Sequence, residues 1–212
     1  MGKCVIFCAG DLFGPVAPIS DDDLIIAADG GLRHAQALGL TPNAILGDFD
    51  SLGYVPQGAQ VFPVEKDDTD TMLAIRHGLE LGYKDFLLYG CTGGTRPDHT
   101  LANYQALCYL RSEGAWGVLA DKDHFTTAIS NEKLTFAPDA TGYISLFCMG
   151  KTAHGVTLSG LQYPMENGTL QPDLPLGVSN RFIDHEASIE VKDGTLLVIW
   201  EKQNGLPVRN EL

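Results

Sequence analysis

Two aspartates stand one residue apart in GDFDSL, Asp48 and Asp50, behind the apolar run NAIL. Earlier, ADGG sets Asp29 before Gly30 and Gly31. Later, DDTD brings Asp70 to the start of a helical pattern. GCTGGTRPDH then offers bare glycine backbone followed by Arg96, Asp98 and His99. Carboxylate oxygens are hard ligands, and a cluster of them is costly without a cation. Such a set suits Mg²⁺, which takes one or two carboxylates together with substrate phosphates. Arginine adds a planar fork that matches phosphate oxygens. Glycines near a helix N-terminus let phosphate approach the backbone closely. The sum describes a Mg–nucleotide site for phosphoryl transfer.

Each piece also has a plainer account. Asp48 and Asp50 could form a solvated acidic turn, and Thr69 or Asp70 could simply cap the next helix. Gly30 and Gly31 could be a turn, and Asp98 and His99 ordinary first-turn residues. What favours a shared site is position. If NAILGDFD continues as a strand, residues i and i+2 share a face and the two aspartates aim the same way. In open parallel sheets, ligands bind outside the carboxyl ends of the strands. Asp29, Asp48, Asp50, Asp70 and Arg96 all follow apolar runs and are expected at that edge.

The elements that must position them alternate through the first half. KCVIFCAG, DLIIAADGG, NAILGDFD, AQVFPVEK, DFLLYGCTGG and WGVLADKD are strand candidates, several of them apolar on both faces as in a covered parallel sheet. GLRHAQALGL, DTMLAIRHGLELG and DHTLANYQALCYLRSEG lie between them with helical spacing. This predicts a parallel-sheet, Rossmann-like α/β domain over residues 1–123. From residue 124 the runs become short and strand-like: FTTAIS, KLTFA, GYISLFCMG, GVTLSGL, SNRFID and ASIEVKDGTLLVIWEK. APDATG, ENGT and KDGT read as turns, with KDG joining a hairpin. Residues 124–212 are therefore expected to form an all-β domain, a sandwich or barrel.

Composition excludes several classes. Lys and Arg number 14 against 27 acidic residues, a net charge of −13. Nucleic-acid binding is driven by phosphate neutralisation, and this chain lacks the basic footprint for it. Anionic membrane surfaces are disfavoured for the same reason. No apolar stretch reaches the length of a membrane span, and MGKCVIFCAG reads as a first strand rather than a leader. Five cysteines without a C-x-x-C pair fit reduced core thiols in the cytoplasm. The six histidines lack zinc-ligand spacing. GKT at 150–152 imitates the end of a P-loop, but the glycine that motif needs five residues earlier is Ser145.

ADGG, LGDFDS, DDTD and GGTRPDHTLAN, followed by GLQYP and LGVSN, resemble the bacterial thiamin pyrophosphokinases. The resemblance runs from about residue 25 to 181. It implies an N-terminal α/β domain, a C-terminal β-sandwich and a homodimer whose subunits share active sites. It implies pyrophosphoryl transfer from ATP to thiamin with Mg²⁺, giving thiamin diphosphate and AMP. Carried over by position, Asp48, Asp50 and Asp70 would be the catalytic metal ligands. Asp29 and Gly30 would lie near the polyphosphate, and Arg96, Asp98 and His99 would belong to the ATP site. Ser179 and Asn180, with Tyr163, would help form the thiamin pocket in the β domain.

Two positions depart from the family pattern. Thr95 intervenes between Gly94 and Arg96, and Arg181 stands where an acidic residue is frequent. The acidic edge alone also admits a Mg-dependent hydrolase or phosphotransferase on another substrate, or a silent nucleotide-sensing module. The hydrolase or phosphotransferase reading does not need GVSN or a dimer, and the retained Asp48, Asp50, Asp70 and Arg96 argue against the silent module.

Overall fold

A computed structural model describes residues 2–13, 16–65 and 67–212. The chain divides into two compact units, Met1–Lys122 and Asp123–Leu212.

In the first unit the strands are β1 (Cys4–Phe7), β2 (Leu24–Ala28), β3 (Ala44–Gly47), β4 (Gln60–Val61), β5 (Asp85–Tyr89) and β6 (Trp116–Ala120). Helices α1 (Gly31–Ala37), α2 (Asp70–Glu80) and α3 (Pro97–Ser112) alternate with them. The strands lie in the order β6-β5-β1-β2-β3-β4, and every pairing is parallel. β1 and β2 are buried along their whole length, which is why CVIF and LIIAA carry no polar residue. Helix α1 sits so close to β1 that a Cβ on Gly31 would lie 1.9 Å from the Phe7 carbonyl oxygen. Thr69 caps α2 by accepting from the Met72 N–H at 3.2 Å, and Pro97 opens α3.

Among the described residues, AQVFPVEK yields only the two exposed residues of β4; its last residue, Lys66, lies outside them. The Phe62 N–H still donates to the Gly47 carbonyl, but Pro63 has no N–H to extend the ladder.

The second unit is antiparallel. Its strands are β7 (His124–Ile129), β8 (Glu132–Phe136), β9 (Tyr143–Ser159), β10 (Met165–Leu170), β11 (Asn180–Arg181), β12 (Ala187–Val191), β13 (Asp193–Glu201) and β14 (Val208–Glu211). The order is β14-β8-β12-β9-β13-β7, with β10 and β11 also paired to β9. Alternate residues of these strands meet in one core that includes Phe136, Leu146, Val156, Ile189 and Trp200. The Trp200 indole N–H donates to the Gly205 carbonyl, so the buried ring leaves no polar atom unsatisfied.

One strand division and two turn readings give way here. GYISLFCMG and GVTLSGL form one 17-residue strand, so GKT lies inside β9 and no phosphate loop exists there. ENGT falls within β10, where a register shift absorbs the irregular residues. KDG does not join a hairpin: β12 pairs with β8 and β9, while β13 pairs with β7 and β9. The long β9 offers hydrogen bonds to both strands at different points along its length, and these outcompete a local turn. Gly194 serves the crossing, since a Cβ there would lie 2.7 Å from Ala153 Cα. No described helix is long and apolar enough to cross a membrane.

Candidate active site

The carboxyl ends of β1, β2, β3 and β5 and the first turn of α2 surround a cleft of about 560 Å³ in the first unit. Because these strands run parallel, the residue after each one arrives at the same edge. β2 delivers Asp29. Its backbone is left-handed (φ 47°), its N–H donates to the Leu46 carbonyl at 2.8 Å, and it is only 6% exposed. The Ser51 hydroxyl donates to its Oδ2 at 2.5 Å, while its Oδ1 is buried with no protein partner. A Cβ on Gly30 would lie 2.9 Å from Ser51 Oγ, so the glycine leaves room for that contact.

Asp48 and Asp50 do share a site, by a different route from strand alternation. β3 ends at Gly47. The chain then turns about Phe49, whose φ of 62° is unusual for a bulky residue and whose ring is buried. The Asp50 N–H donates to Asp48 Oδ1 at 3.2 Å, closing a small loop that a strand could not form. Carboxylate oxygens of Asp29, Asp48 and Asp50 all lie within 4.8 Å of one another. Asp70 lines the same cleft from α2 but stands outside that group of three. Hard oxygen donors, one of them buried and unpartnered, are the set a Mg²⁺ ion takes.

Arg96 and His99 also line the cleft, ahead of and within α3. The Arg96 guanidinium is bound to Asp98, at 2.7 Å from Nη2 and 3.0 Å from Nε. That contact holds the Asp98 carboxyl down at about 2 and raises Arg96 in turn. The Gly94 N–H, expected to be open to phosphate, donates to Asp11 Oδ2 at 2.9 Å. Asp11, Ser51 and Asn103 were not singled out from sequence. Ser51 was within reach, since it directly follows GDFD. Asp11 follows β1 in a stretch without a motif. Asn103 sits mid-helix and holds the Cys91 carbonyl at 2.7 Å.

In the second unit, Asn180 is 4% exposed and both ends of its amide hydrogen-bond to backbone. Its Nδ2 donates to the Tyr163 carbonyl, and its Oδ1 accepts from the Tyr163 and Arg181 N–H groups. GLQYP and GVSN are thus pinned together, with the Tyr163 ring left 61% exposed. Ser179 has a left-handed backbone (φ 60°) and donates its N–H to Ser145 Oγ. The Arg181 guanidinium lies 4.8 Å from the centre of the Tyr143 ring.

The family model for the thiamin pyrophosphokinase catalytic domain matches residues 18–116, and that for the thiamin pyrophosphokinase vitamin B1 binding domain matches residues 129–196. The chain belongs to the thiamin pyrophosphokinase family. It is 29% identical over 185 residues to the thiamine pyrophosphokinase of Bacillus subtilis (strain 168), covering 83% of this chain and 86% of that protein. The crystal structure of thiamine pyrophosphokinase from Bacillus subtilis superposes with a TM-score of 0.80 at 25% identity, over 93% of this chain and 97% of that one. A thiamin pyrophosphokinase family protein from Enterococcus faecalis gives 0.78 at 25% identity, over 95% and 99%. The catalytic-domain match spans the cleft from Asp29 to His99 but not Cys8, Gly10 or Asp11. Tyr163, Ser179 and Asn180 fall inside the B1-binding match.

Proposed function

We infer that this chain is a thiamin diphosphokinase: it transfers a pyrophosphoryl group from ATP to the hydroxyl of thiamin, giving thiamin diphosphate and AMP. The observation that carries the reading is the convergence of Asp29, Asp48 and Asp50 at the carboxyl edge of a parallel sheet, within the stretch that matches the family's catalytic domain.

The transfer demands in-line positioning and neutralisation of charge more than a strong base. A chain with net charge −13 cannot hold ATP by general attraction, so local devices must do so. Asp48, Asp50 and Asp29 would hold Mg²⁺, with Asp70 completing the set from the start of α2. The ion would supply positive charge against the phosphate oxygens. Ser51 keeps Asp29 oriented toward the cleft by its hydrogen bond. Arg96 presents its fork to phosphate on leaving Asp98, and His99 adds a donor on the same wall.

The finer architecture belongs to the same proposal. The first unit is a Rossmann-like nucleotide- and Mg-binding domain. The second is a β-sandwich that binds thiamin and pairs two copies of the chain, so that active sites are shared. The exposed Tyr163 ring, fixed through Asn180, and the left-handed turn at Ser179 support a flat-walled pocket for thiamin's rings. Five free thiols support a reducing, cytoplasmic setting.

The deciding assay follows AMP released from MgATP with and without thiamin. Thiamin-dependent AMP with matching thiamin diphosphate is the expected result. AMP or phosphate released equally from ATP alone would instead identify a hydrolase.

A further inference from the structure

Cys8 Sγ and Cys91 Sγ lie 3.2 Å apart in the wall of the cleft. They follow β1 and β5, neighbouring strands whose last paired residues are Phe7 and Tyr89. The Cys8 N–H donates to the Tyr89 carbonyl at 2.8 Å, which fixes the two chain segments side by side. Both side chains are almost fully buried, yet both border the open cleft. Neither has a part in the transfer chemistry described above.

The two sulfurs are not equivalent. The Cys8 sulfur accepts from the Cys91 thiol and from the Thr71 hydroxyl at 3.4 Å. The Cys91 thiol is the donor, and its hydrogen bond to Cys8 together with burial keeps its proton on.

We propose that Cys8 and Cys91 form a vicinal dithiol modification site that hydrogen peroxide converts to a disulfide, and that this disulfide disables the adjoining nucleotide cleft. In the first step the Cys8 sulfur attacks one peroxide oxygen. The O–O bond breaks, and the departing hydroxide takes the Cys8 proton as water, leaving a sulfenic acid. In the second step the Cys91 sulfur attacks the sulfenic sulfur. The S–O bond breaks, and the hydroxyl leaves with the Cys91 proton as a second water. Two thiols lose two electrons and two hydrogens, and one peroxide is reduced to two waters.

The sulfurs must close from 3.2 Å to about 2.0 Å. Cys91 begins the glycine loop that leads to Arg96, and its carbonyl is held by Asn103. Cys8 precedes Gly10, whose N–H donates to the Gly90 carbonyl. Bond formation therefore displaces backbone on both sides of the phosphate-facing loop. A shift of about 1 Å in such a site costs on the order of 10²-fold in rate, and that is the expected loss. The loss of activity rests on the function proposed above, whereas formation of the bond does not.

The test treats the full chain with hydrogen peroxide, then alkylates it unfolded and measures intact mass and digested peptides. The expected result is alkylation falling from five cysteines to three, a linked peptide pair carrying Cys8 and Cys91, and activity restored by dithiothreitol. A Cys8→Ser chain, compared with its own untreated activity, should show no dithiothreitol-reversible loss, and a Cys91→Ser chain should halt at a Cys8 sulfenic acid and give no linked peptide pair. Five alkylated cysteines after treatment, or a linkage elsewhere, overturns the proposal at the chemical step. A Cys8–Cys91 bond that leaves thiamin-dependent turnover unchanged overturns its effect on the cleft. If the untreated chain never forms thiamin diphosphate, the functional reading fails, while peptide mapping still decides whether the bond forms.

Discussion

Arg96 holds Asp98, two residues further on, through both Nε and Nη2, with the shortest contact at 2.7 Å. Both side chains are largely exposed, so water screens the pair and its effect on stability is small. Phosphate offers the same bidentate geometry as a carboxylate, so in the proposed site an incoming polyphosphate would have to take the fork away from Asp98.

Replacing Arg96 by lysine keeps the charge and removes the fork. The expected result is a KM for ATP raised about tenfold with the KM for thiamin little changed. Unchanged ATP kinetics would mean that the loop containing Thr95 carries Arg96 away from the nucleotide.

The same pair makes a pH prediction. Asp98 titrates at about 2 instead of 3.8. A depressed carboxyl contributes above its ordinary value and loses its contribution as pH falls through the folded value. The Arg96–Asp98 contact should therefore survive at pH 4 and disappear toward pH 2. In Arg96→Gln the Asp98 carboxyl should move up toward 3.8, as read by NMR titration. A carboxyl that stays near 2 in that variant would assign the shift to another group.

The metal assignment is tested by melting as well as by turnover. A ligand that binds only the folded state stabilises it by about 2.7 kcal/mol at a hundredfold excess over Kd. Mg²⁺ should raise the Tm of the native chain, and EDTA should reverse the rise. Asp48→Asn and Asp50→Asn should fold, lose turnover and lose most of the Mg²⁺-dependent rise. A full Mg²⁺ response in both variants would move the ion elsewhere.

Subunit sharing has its own experiment. An Asp48→Asn chain and an Asn180→Ala chain, each inactive alone, should recover part of the activity once mixed and allowed to exchange. Mass measurement confirms exchange. Activity that stays at the parental level would place both halves of each site in one chain.

Glu132 is fully buried and meets Arg209 of β14 at 2.7 Å. Arg209→Ala removes one charged partner of a buried carboxylate. The expected cost is about 3 kcal/mol, at the lower end for such a loss because Arg209 keeps partial exposure. Urea denaturation measures it, and a change below about 1 kcal/mol would show that the pair holds little.

The sequence made the carboxylates visible because their types, and their places after apolar runs, follow from parallel-sheet geometry. It concealed how Asp48 and Asp50 meet, because the turn depends on a left-handed Phe49, a residue that carries no local signal for one. It concealed the Asp11–Gly94 contact because those residues lie 83 positions apart. The KDG misreading has a similar source. Turn propensity is local, whereas β12 and β13 take their hydrogen bonds from a strand laid down earlier in the chain. The match of KLTFA to β8 shows the converse, since there burial alternates residue by residue along the strand.

Strand β9 pairs with β10, β11, β12 and β13. β7 and β8 take their partners from residues 187–201 and 208–211. As the chain leaves the ribosome, β7 and β8 therefore emerge before β12, β13 and β14 exist to pair with them, and they wait for about fifty further residues or more, whereas β9 meets β10 within a few residues. Long-range pairing of this kind folds slowly and exposes sticky edges meanwhile. The second unit should thus depend on chaperone protection during synthesis. A stalled chain ending before β12 should be digested rapidly by protease from residue 124 onward, while the first unit, whose strands all lie upstream, is already resistant.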